Sequence, residues 1–409
     1  MNYQNIVFPS IFPQITEIGN FKSKEYSIFK KVFLPKIKNL FFSEDGTRLY
    51  YCHLFKNILQ ICWTKSKFNE SVVMGINTQE SFYSKSSKLI NVIELWVSCA
   101  KNFLKRISII LIESKGELWQ FSLIKKIKNK KILIRIILLF GTSVWIFDTP
   151  SCLPQFLNIH CPFFKIELAN LFQWKMCLGR NLIITGDISG KITFLKLKKN
   201  LTVFQLFHNK EKKIPIGDLK LIEFDNKEPW LLLSGGYDGI LKIWSLFKTV
   251  TALREIQFNK RWLIKLDSSI FKKDYILILI SFENGFDTMI SFSEKVKIVK
   301  NFSNQGFSNS IYIISGYIIS MGNDGFLNFT EINSPKTANL NYLDLFDTRS
   351  FFFNWGIKSK INNTIFQSIG IKYQNNHINF QRIIPEVFTF SVSGFHGIIA
   401  VFCLNNNNS

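Results

Sequence analysis

The sequence predicts an all-β fold, a single ring of β-sheets, and three observations predict it. A unit of apolar strand, glycine-containing turn and second apolar strand occurs many times along the chain. Its better-matched copies recur at roughly 40 to 50 residues, the length of one propeller blade. The chain of 409 residues with 47% hydrophobic side chains is long enough for one closed propeller with a large core.

In chain order, Phe42-Ser43-Glu44-Asp45-Gly46 announces a first copy running to Asn57 and Trp63. A second copy spans Ile107 to Phe121, turning at Lys115-Gly116 ahead of Trp119. The longest apolar run, Ile132 to Phe147, is interrupted by Arg135 and Gly141-Thr142-Ser143, so it reads as a pair of buried strands and is too short for a membrane span. Gly141 to Asp148 is the later strand of that pair. Leu182 to Leu197 turns at Gly190, Tyr275 to Phe292 at Glu283-Asn284-Gly285, Tyr317 to Thr330 at Asp324-Gly325, and Phe388 to Cys403 at Gly397. Between them, residues 333–386 form the largest gap, with strand-like pieces at Thr364 to Tyr373 and His377 to Ile384.

The clearest copy is Trp230 to Phe247, W-L-L-L-S-G-G-Y-D-G-I-L-K-I-W-S-L-F. Leu231 to Ser234 suits a strand buried on both faces, and Gly235-Gly236-Tyr237-Asp238-Gly239 supplies a tight turn. Ile240, Lys242 and Trp244 then share one face of a second strand. This copy resembles a WD40 repeat, although Ser245 stands where the family usually has Asp. The resemblance implies a β-propeller, with Ser234, Asp238, Gly239 and Trp244 at the repeat's structural positions. In the family the turn Asp joins a buried network with a Ser or Thr, a Trp and a His. The segment expected to carry the His, Ile214 to Asp218, reads I-P-I-G-D, so the network is expected to be incomplete.

The resemblance also sets the expected boundaries. Residues 1–39 are an N-terminal extension, residues 40–404 the propeller, and residues 405–409 a disordered tail. Residues 333–386 are either a degenerate blade or a hairpin inserted into the last one. The blade count is therefore seven or eight, and seven is preferred. The last hairpin ends near the C-terminus, so the resemblance implies an outermost strand supplied by the N-terminal extension. Tyr26 to Leu34, with β-branched and aromatic residues at strand length, is the candidate.

Chemistry is sparse. Seven cysteines form no C-x-x-C pair, and five histidines form no metal-ligand spacing. No phosphate-binding P-loop and no G-x-S-x-G nucleophile elbow is present. Nothing here points to catalysis, a metal, a cofactor or a small-molecule substrate. The N-terminus lacks a secretory pattern, and the odd cysteine count suits a reducing compartment inside the cell. A rigid sheet core with variable loops suits a protein-interaction scaffold within a multiprotein complex.

The net charge of +22 tilts that reading toward a nuclear assembly in RNA processing or ribosome biogenesis. It also opens an alternative, direct RNA or DNA binding through the basic surface. The candidate contacts are Lys125, Lys126, Lys128, Lys130 and Lys131, with Lys196 to Lys199 and Lys295 to Lys300 beside them. That alternative needs the runs to converge on one face. A composition rich in Lys, Asn, Ile and Phe, whose codons are rich in A and T, would scatter them instead.

Overall fold

The computed structural model describes residues 40–42, 47–53, 58–63, 73–83, 89–98, 104–114, 116–128, 131–150, 156–159, 164–168, 172–179, 181–197, 201–209, 211, 213–223, 231–247, 249–258, 261–271, 275–292, 296–303, 308–314, 317–322, 326–332, 340–347, 366–371, 377–378, 387–394 and 398–405. The protein is all-β across these residues, and no helix among them is long and apolar enough to cross a membrane. The strands form several four-stranded antiparallel sheets, seven sheets in all among the described residues.

In chain order, sheet 1 is built from strands within residues 58–114, sheet 2 within 118–167, sheet 3 within 173–207 and sheet 4 within 216–257. Sheet 5 lies within 263–303 and sheet 6 within 308–347. Sheet 7 combines Phe366–Ile371, Val387–Gly394 and Ile398–Asn405 with Thr47–His53 from the other end of the chain. Sheets 1, 5 and 7 each gain a fifth short strand: Phe156–Ile159, His377–Ile378 and Leu40–Phe42.

The long apolar run shows why the chain folds this way. Lys131–Phe140 and Ser143–Pro150 pair antiparallel with Phe140 opposite Ser143. Alternate side chains of one strand point to opposite faces. Ile134, Ile136, Leu138 and Phe140 pack with Ile93, Leu95 and Ile110 of sheet 1. Ile137 and Leu139 pack with Met176, Ile183 and Leu195 of sheet 3. A strand covered on both faces must be apolar at nearly every position, which is what the sequence shows. Sheet 4 repeats the arrangement. Leu232 and Trp244 face sheet 3, while Leu231, Leu233 and Ile243 face sheet 5. The large cores therefore lie between sheets, and the last strands of sheets 3 and 4 are left largely to solvent. Thr251–Gln257 is exposed at nearly every position.

A second regularity is absent from the apolar pattern. The first strand of every sheet carries a register shift near its start: Ile58/Gln60, Leu118/Gln120, Gln173/Lys175, Ile216/Asp218, Leu263/Lys265, Ser308/Ser310 and Phe366/Ser368. Such a bulge sharpens local twist and re-aims the side chain beside it. The turn glycines repeat as well, with Gly190, Gly239 and Gly285 at φ of 80, 73 and 78°, a left-handed conformation that favours glycine.

Several expectations are corrected by the strand pairing. Lys115-Gly116 is no hairpin turn, because Leu104–Ser114 closes sheet 1 and Leu118–Lys128 opens sheet 2. Thr47–His53 and Ile58–Trp63 likewise belong to different sheets. The segment 333–386 supplies Leu340–Asp347 to sheet 6 and Phe366–Ile371 to sheet 7, while His377–Ile378 pairs with Leu263–Phe271. Asn405, expected in the tail, pairs with Val387. Tyr26 to Leu34 lies outside the described residues. The strand beside Ile398–Asn405 is Thr47–His53, with Cys52 opposite Ile399.

Candidate functional site

The polar network expected to lack its histidine has one. His208 follows the outer strand Leu201–Phe207 of sheet 3 and projects into sheet 4. Its Nδ1 lies 2.7 Å from Ser234 Oγ, and the Trp244 indole N–H donates to the same oxygen at 2.7 Å. His208 Nε2 stands 3.6 Å from Asp238 Oδ1. The His208 amide is itself anchored, donating to the Gly190 carbonyl at 2.8 Å. Gly236 permits the closure, because a Cβ there would meet Asp238 Oδ1 at 2.4 Å. The network thus joins the turn, second strand and third strand of sheet 4 to the turn of sheet 3. Burial disfavours the Asp238 carboxylate, but His208, the Asn209 amide and the Ile240 N–H outweigh it and hold its pKa below the usual carboxylate value.

Serine, histidine and aspartate in sequence contact invite a nucleophile reading. The environment argues for structure instead. Ser234 and His208 are buried, at 0% and 1% exposure, and the Trp244 N–H occupies the serine oxygen. A substrate carbonyl has no way to that oxygen. Elsewhere the turns are simpler. Asp187 of sheet 3 accepts from the Ser189 amide and hydroxyl and from the Lys191 amide, each at 2.8 Å.

The bulged positions form a second constellation. Gln60 accepts from the Phe121 amide at 2.9 Å and donates to its carbonyl at 3.2 Å. Gln120 does the same to Met176, at 2.7 and 3.0 Å. The Trp174 indole donates to the Ile216 carbonyl at 2.8 Å, Asp218 accepts from the Leu266 amide at 2.9 Å, and Asp267 accepts from the Ile313 amide at 2.7 Å. Each tie joins the first strand of one sheet to the first strand of the next, near the strand starts for Gln60, Gln120, Trp174 and Asp218 and farther along for Asp267. The first strands therefore run side by side in the same direction, and their starts share one end of the molecule, the mouth.

Aromatic rings crowd that mouth. Tyr237 and Trp262 stack at 5.2 Å and 3°, Trp174 meets Tyr237 at 5.6 Å, and Trp119 meets Phe172 edge-on at 5.0 Å. Trp262 is 53% and Trp119 46% exposed. Charged groups sit among them. Lys175 and Lys265 follow the bulges of sheets 3 and 5, and Asp218 follows that of sheet 4. Burial and the nearby Lys265 push the Lys175 pKa down to about 8, against the opposing pull of Asp218.

The basic runs named from sequence lie elsewhere. Leu118–Lys128 starts at the mouth with Trp119 and ends with Lys125, Lys126 and Lys128 at the far end. Lys131 opens the returning strand, and Lys130 is outside the described residues. Lys196 ends the strand that leaves the Gly190 turn, and Lys297 and Lys300 lie on the strand paired to Phe286–Phe292. The sheet 2 lysines and Lys196 lie toward the end opposite the mouth, whereas Lys300 lies midway along its strand, opposite Met289. The mouth aromatics were missed because they come together from residues far apart in sequence, such as Trp174 with Tyr237 and Trp119 with Phe172. Among the described residues no group of three His, Cys, Asp or Glu side chains is placed to hold a metal.

No family model and no curated protein matches the chain. Among solved structures it is similar to Raptor from Chaetomium thermophilum, with a TM-score of 0.57 at 9% identity over 86% of this chain. The likeness is one of fold. This chain spans 28% of the Raptor chain.

Proposed function

We propose that the protein is a seven-bladed, WD40-like β-propeller, closed by Thr47–His53, that serves as a non-catalytic interaction scaffold in a multiprotein complex. The observation that carries this reading is the exposed aromatic arc of Trp119, Trp262 and Phe286 on sheets tied to one another by part-buried polar side chains. Rigid elements with open aromatic side chains match the composition of protein interfaces. The side chains that could do chemistry in sheet 4 are committed to the buried Ser234 network, which supports a role without catalysis. The lysine excess supports a nuclear, RNA-associated setting.

A second reading, direct nucleic-acid binding by the propeller, draws support from the lysines toward one end of sheets 2 and 3. The test is purification of the intact protein from its own cells, with and without nuclease, at two salt concentrations. The scaffold reading expects the same proteins to accompany it under all four conditions. Loss of those proteins on nuclease treatment, or steeply with salt, would transfer the role to phosphate contacts at the lysine end.

A further inference from the structure

We propose that the outer edge of sheet 3, the strand Leu201–Phe207, takes up an extended, acid-flanked segment of a partner protein as a fifth strand. This goes beyond the scaffold reading, which rests on the mouth aromatics, and places a second contact on the rim. An outermost strand presents a row of unpaired backbone donors and acceptors, and proteins guard such edges with charges, with shortness or with a covering segment. Among the described residues every other sheet shows one of these. Thr251–Gln257 carries Arg254 and Glu255, Val296–Ser303 carries Lys297 and Lys300, and Leu340–Asp347 carries Asp344 and Asp347. Phe164–Glu167 is short, and its Lys165 pairs with Glu167. In sheets 1 and 7 the edge is covered, by Phe156–Ile159 and by Leu40–Phe42. Leu201–Phe207 reads L-T-V-F-Q-L-F, with no charge, and no described strand covers it.

The edge is preorganised. Every residue of the strand is in register with Lys191–Leu197. Phe204 stacks on Phe194 at 4.3 Å and 8°, and the Gln205 side-chain amide donates to Thr193 Oγ1 at 3.2 Å. The His208 amide donates inward to the Gly190 carbonyl. Antiparallel pairs alternate, so the amides and carbonyls of Val203, Gln205 and Phe207 point outward. Val203 is 51% exposed, and Phe204 and Phe207, on opposite faces, are exposed as well. A strand added there gains main-chain hydrogen bonds along its length and apolar neighbours on both faces. Charge selects the occupant. Lys196, Lys198 and Lys199 precede the strand, Lys210, Lys212 and Lys213 follow it, and Glu211 is the one acidic residue between Ile188 and Gly217. A second copy would bring the same lysines and a net charge of +22 to the contact, which repels. The chain's own Tyr26 to Leu34 would bring Lys30 and Lys31. A nucleic acid would satisfy the lysines and leave the apolar edge and its amides unpaired. An apolar segment with Asp or Glu on both sides answers the backbone, the exposed side chains and the lysines together.

The test puts a light-activated cross-linker on the edge, as Val203→benzoylphenylalanine in the full-length chain in its own cells. Leu253→benzoylphenylalanine, on the charged edge of sheet 4, is the reference. Light is expected to join position 203 to a segment of another protein that alternates apolar residues and has Asp or Glu on both sides. That segment, made as a labelled peptide, is expected to bind the purified chain in fluorescence anisotropy. Val203→Pro removes an outward N–H and Val203→Lys adds an edge charge, and each is expected to weaken binding by about tenfold or more. Val203→Thr keeps the N–H and suits a strand, so it is expected to bind within about threefold of the parent. Thermal melting of each variant, expected to match the parent, separates binding from folding, and if Val203→Pro melts early the Val203→Lys comparison decides. The proposal is overturned by no adduct above the Leu253 reference, or by adducts only to this chain, to a second copy or to nucleic acid. A cross-linked segment without acidic flanks, or peptide binding undiminished in Val203→Lys, overturns it too. Its failure leaves the scaffold reading standing, since that rests on which proteins co-purify.

Discussion

Trp244 contributes to stability in two ways, through buried ring surface and through the N–H it donates to Ser234. Replacing it by Phe removes the hydrogen bond and little volume, with an expected cost of about 1–2 kcal/mol. Replacing it by Ala opens a cavity against Ile184 and Phe194, at about 3–5 kcal/mol. Urea midpoints should fall in that order, and equal midpoints for the two variants would show that the polar network adds nothing. Asp238 gives the network a pH signature. Folding lowers its pKa below 3.8, so its stabilisation is complete above about that value and is lost as pH falls through the lower folded one. Unfolding of the parent and Asp238→Asn, measured from pH 6 to pH 2.5, should differ most at pH 6 and converge at the acid end. Lys175 acts in the opposite range. Its folded value near 8 lies below the ordinary 10.5, so the strain of burying its charge beside Lys265 is relieved as pH rises between the two. Of these residues Ser234, Asp238 and Trp244 were legible in one repeat. His208 was not, because Asn209 to Pro215 lengthens the connection and carries the histidine well upstream of Ile214 to Asp218, with no Gly before it.

Strands were the easiest elements to read, since a strand sandwiched between neighbouring sheets must be apolar on both faces, as Lys131–Phe140 and Leu231–Gly236 are. Connections were harder, because a hairpin turn and a step to the next sheet are both short and polar. Lys115-Gly116 looks like the first and is the second. The bulges were invisible, since a bulge is a property of two paired strands and leaves no periodicity in either. Gly217 marks the bulge most sharply. A Cβ there would lie 1.7 Å from the Leu263 carbonyl oxygen, a backbone atom that cannot swing aside as a side chain could. Gly217→Ala should therefore cost about 2–3 kcal/mol or more through overpacking. Gly116→Ala is the internal control, with nothing within 4 Å of the new Cβ and an expected change within about 1 kcal/mol. Equal melting temperatures for the two variants would count against the close approach of sheets 4 and 5.

At the scale of the molecule, the large apolar clusters among the described residues lie between sheets, joining sheets 1 and 2, 2 and 3, 3 and 4, and 4 and 5. Each of these four clusters is shared by two neighbours, so a sheet left with one open face loses much of its packing, and a ring would have reason to close. Thr47–His53 lies beside Ile398–Asn405, strands separated by most of the sequence, and in the proposed ring this pairing is the one that would close it. The WD40 resemblance implied that an N-terminal strand would fill the place, but Tyr26 to Leu34 and Thr47–His53 both read as strands by pattern. Strand pairing across such a separation leaves no local signal to choose between them. The pairing is directly testable by a covalent bridge. Cys52 is the register partner of Ile399, and Tyr51 that of Ala400. Adjacent antiparallel pairs alternate between wider and narrower Cα spacing, so Ile399→Cys and the double variant Tyr51→Cys/Ala400→Cys sample both. At least one should oxidise to an intramolecular disulfide. The bridged loop spans most of the chain, so the chain-entropy limit is a gain of about 6 kcal/mol, seen as a higher melting temperature that reductant reverses. If neither variant forms an intramolecular bridge under oxidising conditions, Thr47–His53 is not the closing strand. A bridge that forms without raising the melting temperature would mean that the ring's last interface opens late in unfolding, after the inter-sheet cores have already separated.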